Sequence, residues 1–343
     1  MRKLLNTLYI TSEDVYLALD GENIIVLREE DTIGRFPLHT LENIVSFSYK
    51  GASPALMGAC ASRNINLSFY TPRGKFLARA TGMSAGNVLL RKEQYRISDD
   101  EDRSLDFARN MILGKVFNCR WCLERTVRDN GFRVDTEKIK AVSQELNLGL
   151  EKIRCCGDLN SLRGLEGELA SRYFYVFDDL IINQKEQFSF NGRTRRPPMD
   201  NVNALLSFAY SILGNECAGA LEGAGLDAYV GFLHQDRPGR KSLSLDLMEE
   251  LRASMADRFV LGLVNRKMIS GAHFDVQGDG AVLMNDDGRK IFLSAWQQRK
   301  REAITHPFLG EKIPWGLVPY VQAMLLARTI RGDLPEYPPF MWK

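Results

Sequence analysis

The order of apolar and polar positions divides the chain into a strand-like first part and a helical second part. Up to about residue 92, short apolar or alternating stretches are separated by turn residues, which is typical of β-strands. The dipeptide Asp20-Gly21 lies between two of them and indicates a hairpin. The predicted strands cover residues 4–10, 15–19, 23–27, 35–39, 44–48, 65–70 and 75–80, with a turn at 71–74 and one helix at 54–62.

Beyond residue 92 the apolar positions recur every three or four residues, as on one face of an α-helix. The clearest stripe predicts a helix of about thirty residues that begins at a cap on Ser98 or Asp99 and ends near Asp129. The helical pattern is interrupted by a predicted hairpin at 273–276 and 282–284, which is followed by a turn at 286–288 and a strand at 290–293. The other predicted helices cover residues 136–146, 150–157, 160–183, 202–213, a segment from Asp246, 294–305 and 315–331.

This division predicts an α+β fold with two domains. Residues 1–92 form a small β-rich N-terminal domain, and residues 93–343 form a larger all-α domain. The chain has no glycine-rich phosphate loop and no alternation of strands with helices, so we expect no doubly wound nucleotide-binding fold.

Composition restricts the function classes only partly. With 45 basic and 43 acidic residues the net charge is +2, so a surface for nucleic acid has to come from local clusters of cations. The sequence contains no apolar run of 18 residues and no signal-peptide pattern, so we expect a cytoplasmic protein without a membrane span. Cys119 and Cys122 form a C-x-x-C pair inside a helical pattern. Because no second pair accompanies them, we interpret them as buried thiols rather than zinc ligands.

Candidate chemistry concentrates in residues 229–252. His234 ends an apolar run, and a basic loop with Arg237, Arg240 and Lys241 follows it. A predicted helix then carries three acids at i, i+3 and i+4, which places them on one face: Asp246, Glu249 and Glu250. An imidazole and carboxylates beside cations suggest a divalent metal next to a phosphate backbone. A core histidine and a solvated acidic face explain the same pattern, and spacing alone leaves both interpretations open.

A further ligand has to come from elsewhere, and Glu166 is the best candidate. Gly164 and Gly167 flank it inside a predicted helix, where glycine costs about 1 kcal/mol relative to alanine. Either something bulky approaches the helix near Glu166, or the glycines only permit close helix packing. The loop at 187–200 carries Arg193, Arg195 and Arg196, which are either solvated charges or phosphate contacts.

Four motifs in order along nearly the whole chain resemble the CRISPR-associated integrase, the endonuclease of the adaptation step that inserts new spacers. They are L-R-G-L-E-G at 162–167, R-x-P-P-x-D-x-x-N-A-L-L-S-x-x-Y at 195–210, G-F-L-H at 231–234 and S-L-S-L-D-L-M-E-E-L-R at 242–252. Details of the sequence resemble a subtype I-C-like system.

The resemblance implies the two-domain fold, a homodimer formed through the N-terminal domains, and a complex in which two dimers flank a dimer of a small ferredoxin-like partner, a heterohexamer. It also implies that Glu166, His234 and Glu249 hold Mg²⁺ or Mn²⁺. Asp246 matches another acid important near the site, and Glu250 is expected to be a bystander.

The function that the resemblance implies is metal-dependent integration into double-stranded DNA. A 3′-hydroxyl of a DNA fragment attacks a repeat phosphodiester, and this transesterification needs no ATP. The expected phosphate contacts are Arg237, Arg240, Lys241 and Arg252, with Arg193, Arg195 and Arg196 gripping a strand. The alternative is a catalytically silent DNA-binding scaffold of the same complex. A general phosphodiesterase for small substrates leaves the arginines and the β-rich domain unexplained.

Overall fold

A computed structural model describes residues 6–63, 65–71, 76–80 and 88–343. The contacts within the chain define two compact units. The first contains the described residues up to Ala80 together with Met284–Glu302, and the second contains residues 88–283 with Ala303–Lys343. The chain therefore has a strand-rich N-terminal region and a mainly helical C-terminal part, as predicted.

The first unit contains two sheets. Its elements are β1 (Asn6–Ile10), β2 (Val15–Asp20), β3 (Asn23–Arg28), β4 (Asp31–Pro37), β5 (Leu41–Ser46), α1 (Pro54–Ser62), β6 (Asn66–Tyr70) and β7 (Phe76–Ala80). In the larger sheet β1 and β6 each pair in parallel with β5, and β7 pairs antiparallel with β6. The smaller sheet is an antiparallel meander of β2, β3 and β4.

Local sequence accounts for several of these elements. Gly21 has φ of 57° in the β2–β3 turn, a conformation that glycine adopts without strain. Ser53 caps α1 by accepting from Leu56 N at 3.2 Å, and Pro54 occupies the first helical turn. Leu17, Ile24 and other side chains from both sheets and α1 form one buried core. Most of the predicted turn at 71–74 lies outside the described residues.

One element of the first unit comes from the far end of the chain. Residues 290–293 were predicted as a strand after a turn, and this prediction is wrong. They lie within α9 (Asp286–Arg301), because Asn285 accepts a hydrogen bond from Gly288 N at 3.0 Å and makes the acidic segment a helix start. Arg301 at the end of α9 donates to Asn6 Oδ1 of β1 at 3.0 Å.

The second unit is mainly helical. Its α-helices are α2 (Val88–Ser98), α3 (Glu101–Asn130), α4 (Thr136–Arg154), α5 (Leu159–Tyr175), α6 (Asn201–Gly223), α7 (Ser242–Leu251), α8 (Arg258–Asn265) and α10 (Val318–Ile330). Helix α3 lies at the centre and packs against α2, α4, α5 and α7, and its apolar stripe is buried as predicted.

Several predicted boundaries differ from the observed ones. The cap of α3 is Asp100, which accepts from two backbone N–H groups, rather than Ser98 or Asp99. The segments 136–146 and 150–157 belong largely to one helix, α4, and Ser242 rather than Asp246 begins α7. Helix α2 runs across residues 92 and 93. The domain boundary between these two residues stays a prediction.

The second part is not all-α. It contains a two-stranded ribbon of β8 (Phe274–Val276) and β9 (Val282–Met284), which was expected as a hairpin. A second antiparallel ribbon pairs β10 (Ala303–Thr305) with β11 (Lys312–Pro314), and β10 stands where the end of the helix at 294–305 was predicted. None of the helices among the described residues is long and apolar enough for a membrane span.

Candidate active site

The imidazole ring of His234 contacts the buried carboxylate of Asp246. Asp246 Oδ1 lies 2.5 Å from His234 Nδ1 and also accepts from His234 N at 3.0 Å. Asp246 Oδ2 accepts from Phe232 N at 2.7 Å and from Leu233 N at 3.0 Å. A carboxylate oxygen accepts, so Nδ1–H of His234 is the donor of this contact, and Nε2 is the nitrogen that offers a lone pair to a metal when the ring is neutral. Asp246 therefore orients the histidine, and its predicted importance for the site stays a prediction.

The same carboxylate explains the glycine of G-F-L-H. A Cβ at Gly231 would lie 2.7 Å from Asp246 Oδ2 and 2.8 Å from Ser242 Cβ. Only glycine lets the turn approach the first part of α7 closely enough for Asp246 to bind three consecutive backbone N–H groups.

Glu249 lies one turn after Asp246 and meets two cations. It is 3% exposed, Oε1 is 2.9 Å from Arg252 Nη2, and Oε2 is 2.7 Å from Lys115 Nζ. His234 Nε2 lies 3.9 Å from Glu249 Oε1. Burial alone would raise the pKa of Glu249, but neighbouring positive charges, chiefly those of Arg252 and Lys115, outweigh it and lower that pKa to about 2. Glu249 is therefore ionised at neutral pH.

Glu166 joins this group through Lys115. The Lys115 ammonium forms a short ion pair with Glu166 Oε1, so one buried cation from α3 bridges carboxylates of α5 and α7. Burial lowers the pKa of Lys115, but Glu249 and Glu166 more than compensate and raise it, so the ammonium stays charged. Glu166 itself keeps 28% of its side chain exposed.

Arg163 connects α5 to the histidine turn. It precedes Glu166 by three residues, and its Nε donates at 2.9 Å to Leu233 O, one residue before His234. Asp158 begins α5 by accepting from Ser161 N at 2.9 Å. The structure thus brings the three predicted ligands into one neighbourhood: Glu166 and Glu249 share Lys115, and His234 lies beside Glu249.

Glu250 is fully buried and contacts the C-terminal segment, so it does not lie with Asp246 and Glu249 on a solvated face. A solvated acidic face was one interpretation of the helical spacing. Glu250 Oε1 accepts from Tyr337 OH and from Gln322 Nε2 at 2.9 Å, and its Oε2 accepts from Phe340 N at 2.8 Å. Burial raises the pKa of Glu250 to about 7 despite these hydrogen bonds. Glu250 therefore fastens the C-terminal segment to α7.

The donor set of the site is suited to a hard divalent cation. Two carboxylates and the free Nε2 of His234 are ligand types that Mg²⁺ or Mn²⁺ accepts. Glu249 Oε2 has its ion pair with Lys115 but no hydrogen bond of regular geometry among the described residues. However, among the residues that the structure describes, no three His, Cys, Asp or Glu side chains already surround a common point. Lys115 lies between two of the proposed ligands instead.

The helix surface beside Glu166 is bare. A Cβ on Gly164 or on Gly167 would meet no atom within 4 Å, and both residues are at least partly open to solvent. Close packing of another described helix against Gly164 and Gly167, one of the two interpretations of these glycines, is therefore wrong. The other interpretation, approach of a bulky partner from outside the chain, stays a prediction.

The predicted DNA-contacting cations fall into two groups. Arg193 and Arg252 are bound within the protein: Arg193 donates to Asn203 Oδ1 at 2.6 Å, and Arg252 pairs with Glu249. Lys241 donates to Asn215 Oδ1 at 3.2 Å and is half-buried. The remaining cations lie more openly in two loops, with Arg195, Arg196 and Arg237 exposed and Arg240 half-buried.

A π-helical turn, Arg252–Asp257, directly follows α7. It contains Arg252, whose guanidinium lies 5.1 Å from the ring centre of Tyr210, and Asp257, which accepts from Tyr210 OH at 2.5 Å. Such widened turns are frequent at functional sites. Burial raises the pKa of Asp257 to about 6.

Sequence reasoning missed Lys115, Arg163 and the Tyr210–Asp257 pair. The sequence contained a signal for Lys115. It follows Ile112 by three residues and precedes Cys119 by four, so a charged residue lies on the apolar stripe of α3. Cys119 and Cys122 are buried as predicted, and burial raises the pKa of Cys122 to about 11.

Comparison with known proteins adds independent findings. Residues 8–298 match the family model described as CRISPR associated protein Cas1. The chain is 46% identical over 343 residues, covering both proteins completely, to a CRISPR-associated endonuclease Cas1 of Chlorobaculum tepidum.

Two solved structures have the same fold. One is a casposase bound to its integration product, with a TM-score of 0.84 and 20% identity over 99% of this chain and 95% of that chain. The other is a Cas6-RT-Cas1–Cas2 complex, with a TM-score of 0.81 and 21% identity over 99% of this chain and 36% of that chain.

Proposed function

The chain belongs to the CRISPR-associated Cas1 family, and we propose that it is a metal-dependent DNA endonuclease and integrase that inserts spacer DNA into a CRISPR array. The observation that carries this proposal is the convergence of Glu166 and Glu249 on Lys115, with His234 beside them. These residues come from three separate motifs, and the fold brings them together in the second unit.

Glu166, Glu249 and His234 Nε2 would hold Mg²⁺ or Mn²⁺. When bound, the metal would polarise the target phosphodiester and help activate a 3′-hydroxyl. Asp246 keeps the Nε2 lone pair of His234 directed away from itself, and Arg163 holds the histidine turn against α5. Arg252 neutralises charge next to Glu249.

The reaction is a strand transfer. The 3′-hydroxyl of the incoming fragment gives up its proton as its oxygen forms a new bond to phosphorus, the P–O bond of the repeat phosphodiester breaks, and the leaving oxygen takes up a proton. The number of phosphodiester bonds is unchanged, so no ATP is required. Water in place of the 3′-hydroxyl gives nuclease activity at the same site.

The expected substrate and partners follow the same proposal. Arg195, Arg196 and Arg237 are exposed cations suited to DNA phosphates. The proposal includes a homodimer formed through the β-rich unit and a heterohexamer with a small ferredoxin-like CRISPR-associated protein. The Cas6-RT-Cas1–Cas2 complex among the solved structures of this fold supports a Cas protein as partner. The subtype I-C-like affiliation remains part of the proposal.

The competing function is a DNA-binding scaffold without chemistry, and the presence of Lys115 between two proposed ligands is the observation in its favour. A strand-transfer assay separates the two: a 3′-hydroxyl oligonucleotide, a supercoiled repeat plasmid and Mn²⁺. We expect Glu166→Ala and His234→Ala to abolish the product while DNA binding persists.

Glu168→Ala is the matched control, because Glu168 is exposed on the same helix. It should retain wild-type activity. Wild-type levels of product from both Glu166→Ala and His234→Ala would rule out the metal site, and inactive wild-type protein that binds DNA would favour the scaffold.

A further inference from the structure

Lys115 is an unusual neighbour for two proposed metal ligands. It lies in the middle of α3, its side chain is 8% exposed, and its ammonium contacts both Glu166 and Glu249. Moving a charged ammonium out of water is costly unless the charge is compensated. Compensation comes here from two carboxylates that belong to helices elsewhere in the sequence.

The charges around this ammonium nearly balance without any added ion. Asp246, Glu166 and Glu249 supply three negative charges, and Lys115 and Arg252 supply two positive ones. A divalent cation placed among them alongside Lys115 would leave an excess of positive charge in a buried region. Removing the ammonium from between Glu166 and Glu249 restores the balance, because two carboxylates then face one divalent cation.

The side of the site at Glu166 gives the ammonium a place to go. Glu166 is 28% exposed, whereas Glu249 is 3% exposed. The flexible four-carbon stem of lysine allows Nζ to move outward past Glu166 while α3 stays in place. Arginine would not do this as easily, because its planar fork prefers a fixed bidentate geometry.

We propose that Lys115 is the internal counterion of the metal-free site, and that a divalent metal binds by displacing its ammonium from between Glu166 and Glu249. This inference rests on the proposed function, since it assumes that those carboxylates are metal ligands. In the absence of metal, Lys115 holds α5 and α7 at the correct separation. It thereby keeps the site assembled and lowers its affinity for metal.

Lys115→Met tests the proposal, since methionine retains most of the length of the stem without the charge. In Mn²⁺ titrations followed by electron paramagnetic resonance of the free ion, we expect the variant to bind Mn²⁺ about tenfold more tightly than wild type. Its melting temperature without metal should fall, and the rise on adding Mn²⁺ should exceed that of wild type. Unchanged or weaker Mn²⁺ binding would overturn the proposal.

Lys138→Met is the matched control. Lys138 also forms an ion pair, with Nζ 2.6 Å from Asp179 Oδ2, but this pair is not among the contacts of the site. Its replacement should leave the Mn²⁺ affinity unchanged. Glu249→Ala distinguishes a failure of the proposed function from a failure of the displacement. The proposed function itself is contradicted if wild type binds no Mn²⁺, or if Glu249→Ala binds Mn²⁺ as tightly as wild type. Metal binding that needs Glu249 but ignores Lys115→Met contradicts only the displacement.

A second measurement uses the wild-type protein and does not depend on the folding of a variant. Reductive methylation with formaldehyde, quantified by mass spectrometry, reports how accessible each lysine is. Lys115 should be protected without metal and become methylated when Mg²⁺ is added, while Lys138 reacts equally in both states. Equal protection of Lys115 with and without Mg²⁺, under conditions where Mg²⁺ binds, would show that the ammonium stays in place.

Discussion

His234 and Asp246 are joined by a 2.5 Å contact between Nδ1 and Oδ1, and the same carboxylate binds the backbone N–H groups of residues 232–234. The buried Asp246 side chain thus fixes both the backbone path of the histidine turn and the orientation of the His234 ring. Hydrogen-bond partners of this kind fix the orientation of metal-binding histidines in proteins.

Replacing Asp246 with asparagine should therefore affect metal binding more than its small change in size suggests. The NH₂ group of the introduced amide would face donors instead of accepting from them, and His234 would lose the partner for Nδ1–H. We expect Mn²⁺ affinity to fall about 10- to 100-fold, with a matching loss of strand transfer. Asp236→Asn, an exposed acid two residues after His234, is the control. Wild-type metal affinity in Asp246→Asn would show that the contact does not orient the ring.

Arg163 offers a test of positioning from α5. Without its hydrogen bond to Leu233 O, the histidine turn loses a direct link to the helix that carries Glu166. Arg163→Ala should reduce strand transfer by roughly tenfold or more, because a small misplacement of reacting groups is costly. Arg172→Ala removes an arginine that is 55% exposed on the same helix and should have little effect. Equal activities of the two variants would remove Arg163 from the site.

Filling the open surface at Gly164 and Gly167 of α5 should have opposite effects on protein stability and on DNA binding. Alanine at Gly164 or Gly167 should stabilise the free protein by up to about 1 kcal/mol, since alanine favours a helix and the structure leaves room for its methyl group. If DNA approaches this surface, leucine at either position should weaken DNA binding and strand transfer. Gly58, exposed in α1 with equally open surroundings, is the matched control for both substitutions. DNA affinity unaffected by leucine would indicate that nothing bulky approaches.

Asp257 makes stability depend on pH. Burial raises its pKa from 3.8 to about 6, so the folded protein prefers the protonated carboxyl more strongly than the unfolded chain does. The stability from this preference is complete below pH 3.8 and is lost as the pH rises through 6, which amounts to about 3 kcal/mol. Urea unfolding between pH 4.5 and 7 should show wild type losing stability relative to Asp257→Asn as the pH rises. The exposed control Asp275→Asn should follow wild type, and a constant difference between Asp257→Asn and wild type would contradict the prediction.

The sequence alone determined the elements that depend on neighbouring residues. Asp20-Gly21 specified the β2–β3 hairpin, and Ser53-Pro54 specified the start of α1, because turns and caps are decided within a few residues. The apolar stripe along α3 likewise predicted this helix from the sequence. Motif order also singled out Glu166, His234 and Glu249, through a family resemblance that the comparisons support at the level of the family.

The tertiary structure decided which charged groups meet. Glu249 and Glu250 are adjacent in sequence, yet one faces Lys115 and Arg252 while the other binds the C-terminal segment, since consecutive positions of a helix point in different directions. Lys115 and Glu249 lie on helices far apart in the chain, so no local pattern encodes their pairing. The charge balance of the site arises only when α3, α5 and α7 pack together, and for that physical reason sequence reasoning named the acids but not the lysine between them.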